Sequence, residues 1–209
     1  MIMKKTTLVF LLITTAILAS SCGNSAPPRN TKTGLVTGVK PVPDTEVAVI
    51  EMENSSAYGT ITIELYSNIA PKMVAQFKAL AKEGVYDGTS FHRINSSVVQ
   101  GGDPLSKDDD PTNDGTGKSN KPNVLAEFSD IPYDTGIVGA ARSQDINSQN
   151  SQFFITLRRE PGFDKNYTIF GKVVDGMNNV RTISGVSPKD GERPVEPVKI
   201  KSVTIKPRS

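Results

Sequence analysis

Cysteine, histidine and tryptophan are nearly missing from this 209-residue sequence, which has one cysteine, one histidine and no tryptophan. A lone cysteine, Cys22, excludes any disulfide within the chain. A lone histidine, His92, excludes the HExxH zinc motif, and no GxSxG or CxxC pattern occurs. The inventory therefore argues against zinc catalysis and against a histidine-based triad, and His92 is interpreted as a structural residue.

Long apolar runs are also missing. The longest, residues 8–19, falls short of the roughly 20 residues that a membrane span needs. It follows Lys4 and Lys5 and ends in small residues, which predicts a secretory signal peptide over residues 1–21. Without that segment the chain has 22 basic and 22 acidic residues, so no basic surface for nucleic acid is expected.

The single cysteine follows directly on the predicted signal peptide. Residues 18–22 resemble a bacterial lipobox, with Ala19 in the place that leucine usually takes. We expect Cys22 to carry an acyl group such as palmitate and to hold the protein at a bacterial membrane, on the periplasmic or extracellular side of the cell envelope. The alternative is ordinary signal cleavage that leaves a free thiol.

Two further regions follow the cleavage site. Residues 22–44 are rich in Gly, Pro, Ser, Thr and Asn, which predicts a flexible stalk. Residues 45–209 have the size of one domain with one core. Their apolar residues predict a helix that opens at Ala70-Pro71 and stops at Gly84, and a shorter one over residues 177–183. Strands are predicted over residues 47–52, 60–65, 90–94, 98–101, 136–141, 152–157, 168–174 and 198–205.

Four short motifs occur in an order that is typical of one enzyme family. They are FHRI at 91–94, QGGD at 100–103, SQFFI at 151–155 and FGKV at 170–173. Together they resemble the cyclophilin family of peptidyl-prolyl isomerases, and the resemblance extends from Val47 to about Ile205. It implies a mainly β fold, a closed eight-stranded antiparallel barrel capped by two α-helices. It also implies catalysis of cis-trans isomerisation at prolyl bonds in protein folding.

The resemblance assigns roles to individual residues. Arg93 is similar in position to the catalytic arginine, and Gln100 to the glutamine that binds the substrate backbone. Gln152 and Phe154 resemble the residues that hold the peptide and floor the proline pocket. The predicted substrate-binding set is completed by Phe163 in the leucine position of that pocket, Tyr167, Val98, Ala141 and Arg142.

The chain departs from the family pattern near this pocket. The segment between Arg93 and Gln100 is one residue shorter than usual and has no aromatic, and Gly162 stands where drug-sensitive animal members have tryptophan. A shallower pocket is expected. We expect proline-containing polypeptides as partners, no metal or other cofactor, and a monomer. The alternatives are a proline-peptide-binding or chaperone module that has kept the fold but lost most turnover, and a structural envelope lipoprotein.

The lipid anchor predicts a change in location when Cys22 is replaced. In the wild-type chain we expect labelling by a radioactive fatty acid and recovery in the membrane fraction, since several acyl chains bind a bilayer stably. Cys22→Ser should lose the label and become soluble, whereas Ser25→Ala should keep both properties. An unlabelled wild-type chain would show that the lipobox interpretation is wrong.

Overall fold

Short antiparallel strands make up most of the structure. The computed structural model describes residues 34–108, 110–186 and 191–208, so the predicted signal peptide and Cys22 lie outside the described residues. No helix in the described part of the chain is long and apolar enough to cross a membrane. The strands are β1 (Glu46–Met52), β2 (Thr60–Leu65), β3 (Arg93–Ile94), β4 (Val98–Gly101), β5 (Ile137–Ala140), β6 (Phe153–Thr156), β7 (Ile169–Asp175) and β8 (Ile200–Pro207); the helices are α1 (Ser55–Tyr58), α2 (Pro71–Lys82) and α3 (Met177–Ser184).

The eight strands form one antiparallel sheet in the order β3-β4-β6-β5-β7-β2-β1-β8. The prediction of a closed barrel is wrong, because β3 and β8 form no ladder with each other and the sheet is open. The segments that precede β3 and β8 are joined by an isolated bridge between Ser90 and Lys199 and by single backbone hydrogen bonds, such as that from the N–H of Phe91 to the carbonyl of Val198 at 3.0 Å. The physical reason is local: β3 has two residues, and Pro194 and Pro197 in the segment before β8 have no N–H to donate.

Helix α2 is confirmed as predicted and covers one face of the sheet. It begins at Pro71, whose fixed φ suits the first helical turn, and Gly84 follows its end with a φ of +68°. Phe77 lies 5.1 Å from Tyr86 and 5.7 Å from Phe153, measured between ring centroids. The buried residues of the helix are Met73, Val74, Phe77, Leu80 and Ala81, all part of the main core.

Two local elements differ from their predictions. The connection between β1 and β2, where no helix is predicted, is a single helical turn, α1; the side chain of Asn54 caps it by accepting from the N–H of Ala57 at 3.3 Å. The predicted strand over residues 90–94 pairs with β4 only through Arg93 and Ile94. Alternation of apolar and polar residues predicts where strands lie. It does not show how many of their residues form ladder hydrogen bonds with a neighbouring strand.

Part of the predicted stalk is bound to the domain. Within residues 34–44, the N–H of Val36 donates to the carbonyl of Phe128 at 2.8 Å. The side-chain amide of Asn68 donates to the carbonyl of Lys40 at 2.9 Å. The folded part of the chain therefore extends further toward the N-terminus than the composition predicts.

Replacement of leucine by alanine should lower the free energy of unfolding by different amounts at two positions. Leu80 is fully buried under the sheet, whereas Leu125 is 55% exposed. Leu80→Ala should lower the free energy of unfolding by about 2 to 5 kcal/mol through lost burial and a new cavity. Leu125→Ala should change it by less than about 0.5 kcal/mol. Urea denaturation of both variants measures this, and equal costs would contradict the packing described.

Candidate active site

A row of residues crosses three neighbouring strands on the face of the sheet opposite the main core. Arg93 on β3 is paired with Gln100 on β4, and Gln100 is paired with Phe154 on β6. Directly paired residues of antiparallel strands point to the same face, so the three side chains lie side by side. This row is one wall of a cavity of about 490 Å³.

Side-chain amides connect this row to a neighbouring loop. Nη1 of Arg93 donates to Oε1 of Gln100 at 3.2 Å, and Nε2 of Gln100 donates to Oε1 of Gln152 at 3.0 Å. Nε2 of Gln152 then donates to the carbonyls of Gly115 and Gly117, at 3.1 and 2.8 Å. Each side-chain amide in this series both accepts and donates, which fixes the orientation of Gln100 next to the guanidinium.

Aromatic rings form the floor of the cavity. Phe154 is 4% exposed and stacks on Tyr133, with 5.8 Å between the ring centroids. Phe163 and Tyr167 each meet its ring edge-on at 5.5 Å. Edge-to-face pairs of this kind are favoured over flat stacking by the ring quadrupoles. The result is an apolar surface beside a charged guanidinium.

Gly139 on β5 makes room for this floor. It is paired with Phe154, and a Cβ placed on it would lie 2.4 Å from Cζ of that ring and 2.7 Å from the hydroxyl oxygen of Tyr133. Any side chain at this position would displace both rings. The glycine is therefore required by close approach.

Arg142 holds the loop that carries two of the floor rings. Its Nε and Nη2 donate to the carbonyl of Asn166 at 3.1 and 3.0 Å, and its Cζ lies 4.6 Å from the centroid of the Tyr167 ring. These contacts combine hydrogen bonds with a cation–π interaction. They fix the part of the cavity rim that Arg142 and Tyr167 form.

All the predicted site residues of the domain line this cavity except Gln152, which contacts it through Gln100. Gly162 is exposed, and a Cβ added there would have no atom within 4 Å. Sequence reasoning did not find Tyr133, Asp114, Glu192 and Arg193. The last three line the cavity from loops far away in the chain, and no local pattern marks them.

The charged groups that sequence reasoning missed are paired. The carboxylate of Glu192 forms an ion pair with Nε of Arg93, and this hydrogen bond lowers the pKa of the carboxyl. Nε of Arg193 lies 3.5 Å from Oδ2 of Asp114, whose pKa is raised by burial. No group of three or more His, Cys, Asp or Glu side chains that would hold a metal occurs in the described segments.

Comparisons with known proteins agree with this geometry. The family model for "Cyclophilin type peptidyl-prolyl cis-trans isomerase/CLD" matches residues 49–205. The chain belongs to the cyclophilin family. A probable peptidyl-prolyl cis-trans isomerase of Brucella suis is 44% identical over 152 residues, which are 70% of this chain and 78% of that protein. The peptidyl-prolyl cis-trans isomerase ppi1 of Schizosaccharomyces pombe is 38% identical over 161 residues, which are 74% of this chain and 96% of that protein.

A solved cyclophilin structure has the same fold. The Cryptosporidium parvum cyclophilin, crystallised in the presence of the dipeptide Ala-Pro, superimposes with a TM-score of 0.69 and is 29% identical. The match covers 78% of this chain and 99% of that one. The cyclophilin fold and the enzyme family are thus established for the domain. The roles of its individual side chains stay predictions that the geometry makes testable.

His92 of this cyclophilin domain predicts a pH dependence of stability. Its side chain is buried at the cavity, and burial lowers the pKa of the imidazole below 6.5, against the attraction of Asp103. The unfolded chain has the ordinary pKa, so it binds the proton more readily than the folded one. The stabilisation by neutral His92 is complete above pH about 6.5 and is lost progressively as the pH falls from there to the folded pKa.

Titration of the single imidazole by NMR measures this directly, because no other histidine overlaps with it. We expect the imidazole signals of the folded chain to titrate below 6.5, and His92→Gln to remove this contribution to the pH dependence of the free energy of unfolding. A pKa at or above 6.5 in the folded chain would contradict the burial described.

Proposed function

We propose that this domain catalyses the cis-trans isomerisation of peptide bonds before proline in exported polypeptides, as a monomer held at the membrane by its acylated Cys22. One observation carries the catalytic part of the proposal: Arg93, Gln100 and Phe154 lie in one row, so a guanidinium, an amide and an apolar floor face the same cavity. A prolyl peptide presents a carbonyl, a tertiary amide nitrogen and an apolar ring to such a surface.

The reaction needs rotation about a bond with partial double-bond character. Resonance between the nitrogen lone pair and the carbonyl sets a barrier of roughly 20 kcal/mol, and uncatalysed relaxation takes about 10 to 100 s. In the twisted transition state the lone pair is localised on the nitrogen. A donor directed at that nitrogen stabilises the transition state and not the planar ground states, which is the condition for catalysis.

Arg93 can supply that donor. A guanidinium has five N–H groups, and the bonds to Glu192 and Gln100 engage two of them. Nη2 makes no hydrogen bond within residues 34–108, 110–186 and 191–208. The side chain is 46% exposed, so a peptide in the cavity can reach it. The guanidinium of arginine is a permanent cation in proteins, so this donor is charged.

The apolar floor supplies the remaining requirement. Relaxation in milliseconds needs an acceleration of about 10⁴, or roughly 5 to 6 kcal/mol, and a charged hydrogen bond contributes about 1.5 to 3 kcal/mol. The rest must come from holding the proline ring while the preceding carbonyl swings. Phe154, Phe163 and Tyr167 offer a rigid apolar surface for that ring, and Gln100 offers an amide for the peptide backbone.

The proposed location rests on the N-terminal sequence. A signal peptide over residues 1–21 and a cysteine at its cleavage site would deliver the domain to the outer side of a bacterial membrane. Polypeptides fold there after export, and their prolyl bonds equilibrate slowly between isomers. Such chains are the substrates that we propose.

The mechanism predicts that turnover depends on the shape of the Arg93 side chain. Arg93→Ala should lower kcat/KM for a proline tetrapeptide by about ten- to hundredfold, the equivalent of one charged hydrogen bond. Arg93→Lys should be nearly as poor, because an ammonium is a point charge without the planar fork. A protease-coupled assay of the full-length chain measures both.

The matched control is Arg181→Ala, which removes an exposed arginine on α3 outside this cavity and should leave turnover unchanged. Thermal unfolding shows whether each variant is folded. Unchanged turnover in folded Arg93→Ala would refute the mechanism. A wild-type chain that binds proline peptides without accelerating isomerisation would instead support the binding module.

A further inference from the structure

The guanidinium of Arg93 has an acidic partner from a distant part of the chain. Oε2 of Glu192 accepts from Nε of Arg93, although 99 positions separate the two residues. Both side chains line the cavity, and both are about half exposed. An exposed ion pair contributes little to stability, because water screens it. Its position at the proposed catalytic donor suggests another use.

Three contacts hold Glu192 at this place. Its backbone carbonyl accepts from the N–H of Ile94, next to Arg93, at 2.6 Å. Its Oε1 accepts from Nδ2 of Asn95 at 2.6 Å, while Oε2 faces Arg93. Both carboxylate oxygens are thus engaged, and the residue is held by backbone and side chain together. Such a carboxylate has little freedom to follow a moving guanidinium and instead limits its movement.

The surrounding segments fix Glu192 further. Oδ1 of Asn95 accepts from the N–H groups of Ser97 and Val98, at 2.8 and 2.9 Å, so the partner amide is itself held in the β3–β4 connection. On the other side of Glu192, Arg193 pairs with Asp114. The Glu192 segment is therefore attached both to β3 and to the loop that carries Gly115.

Some N–H groups of Arg93 bind neighbouring side chains, and the others are left for a substrate. Glu192 takes Nε, and Gln100 takes one N–H of Nη1. These two contacts lie on different edges of the planar group and fix its rotation as well as its position. The guanidinium thus presents its other N–H groups to the cavity in one orientation, without loss of side-chain entropy when the substrate arrives.

We propose that Glu192 is a positioning residue of this isomerase, whose carboxylate fixes the guanidinium of Arg93 in the orientation that serves the twisted prolyl bond. The inference rests on the proposed function of Arg93 and adds a residue to it. Glu192 does not touch the substrate in this role. Its effect should appear in the transition state, where the orientation of Arg93 matters most, and not in the binding of the ground state.

The test compares Glu192→Gln with Glu196→Gln in the full-length chain. Both remove one negative charge from the same loop, but Glu196 is exposed and lies outside the cavity. We expect Glu192→Gln to lower kcat about tenfold with KM changed less than about twofold, and Glu196→Gln to leave both unchanged. The temperature of unfolding should stay within a few degrees in both, since the ion pair is exposed.

A spectroscopic measurement tests the contact without turnover. The Nε–H signal of Arg93 in a ¹H–¹⁵N spectrum is assigned by its loss in Arg93→Lys. In Glu192→Gln it should shift and exchange faster with water, and in Glu196→Gln it should stay. An unchanged signal, or wild-type kcat in Glu192→Gln, would overturn the inference. A wild-type chain without turnover would refute the proposed function, and the signal would still decide whether Glu192 orients Arg93.

A double variant separates positioning from general damage to the fold. If Glu192 acts through Arg93, Glu192→Gln should cause no further loss of kcat/KM in an Arg93→Lys chain, because the group that it orients is already gone. Should Glu192→Gln lower the temperature of unfolding as well as kcat, this comparison decides. Losses that multiply would show that Glu192 only supports the structure, and the inference would be wrong.

Discussion

The twofold alternation of side chains along β6 is the constraint on which both the core and the site depend. Phe153 and Phe154 are neighbours in sequence, and a strand must direct them to opposite faces. Phe153 packs edge-on against Phe77, Tyr86 and Phe91 in the main core. Phe154 faces the cavity among Tyr133, Phe163 and Tyr167. One dipeptide thus stabilises the fold with one ring and forms the floor of the cavity with the other.

Strand register extends this constraint to the polar groups. Gln100 is opposite Phe154 and Gly101 is opposite Phe153, so β4 alternates in step with β6. A Cβ on Gly101 would lie 2.9 Å from the ring of Phe91, which shows how closely the core side is packed. A slip of one residue would bring Gln100 into that core and is therefore strongly disfavoured. Core packing thus holds the row of Arg93, Gln100 and Phe154 in register, although the row lies on the other face of the sheet.

Local patterns in the sequence predicted most of the elements. The apolar face of α2 and the alternation of β2 are repeated within a few residues, so they can be found without knowledge of the fold. The family motifs added the site residues around Arg93. Contacts between distant segments could not be predicted in this way. Glu192 is held beside Arg93 by bonds from the N–H of Ile94 and the side chain of Asn95, and nothing near Glu192 in the sequence marks these contacts.

The same limitation explains the wrong expectation of a closed sheet and the unforeseen contacts of residues 34–44 with the domain. Closure of a barrel depends on whether its first and last strands meet, and this is decided by two prolines before β8 and by the brevity of β3. The attachment of residues 34–44 depends on single hydrogen bonds, such as the one from Val36 to Phe128, within a segment whose composition is that of a linker. Composition describes an average tendency, and a few specific bonds are enough to override it.

An open sheet has consequences for solubility, because an unpaired strand edge is a template for strands of other chains. Strand β8 has eight residues and lies at such an edge. Its first residue, Ile200, exchanges backbone hydrogen bonds of 2.7 and 2.8 Å with Thr89 and Gly88, which covers that end. Beyond it, Lys201 and Lys206 are exposed, and Pro207 ends the strand. Addition of another strand would bury the charges of these lysines and would find no N–H donor at Pro207, so it would be costly. This edge therefore protects the protein against aggregation.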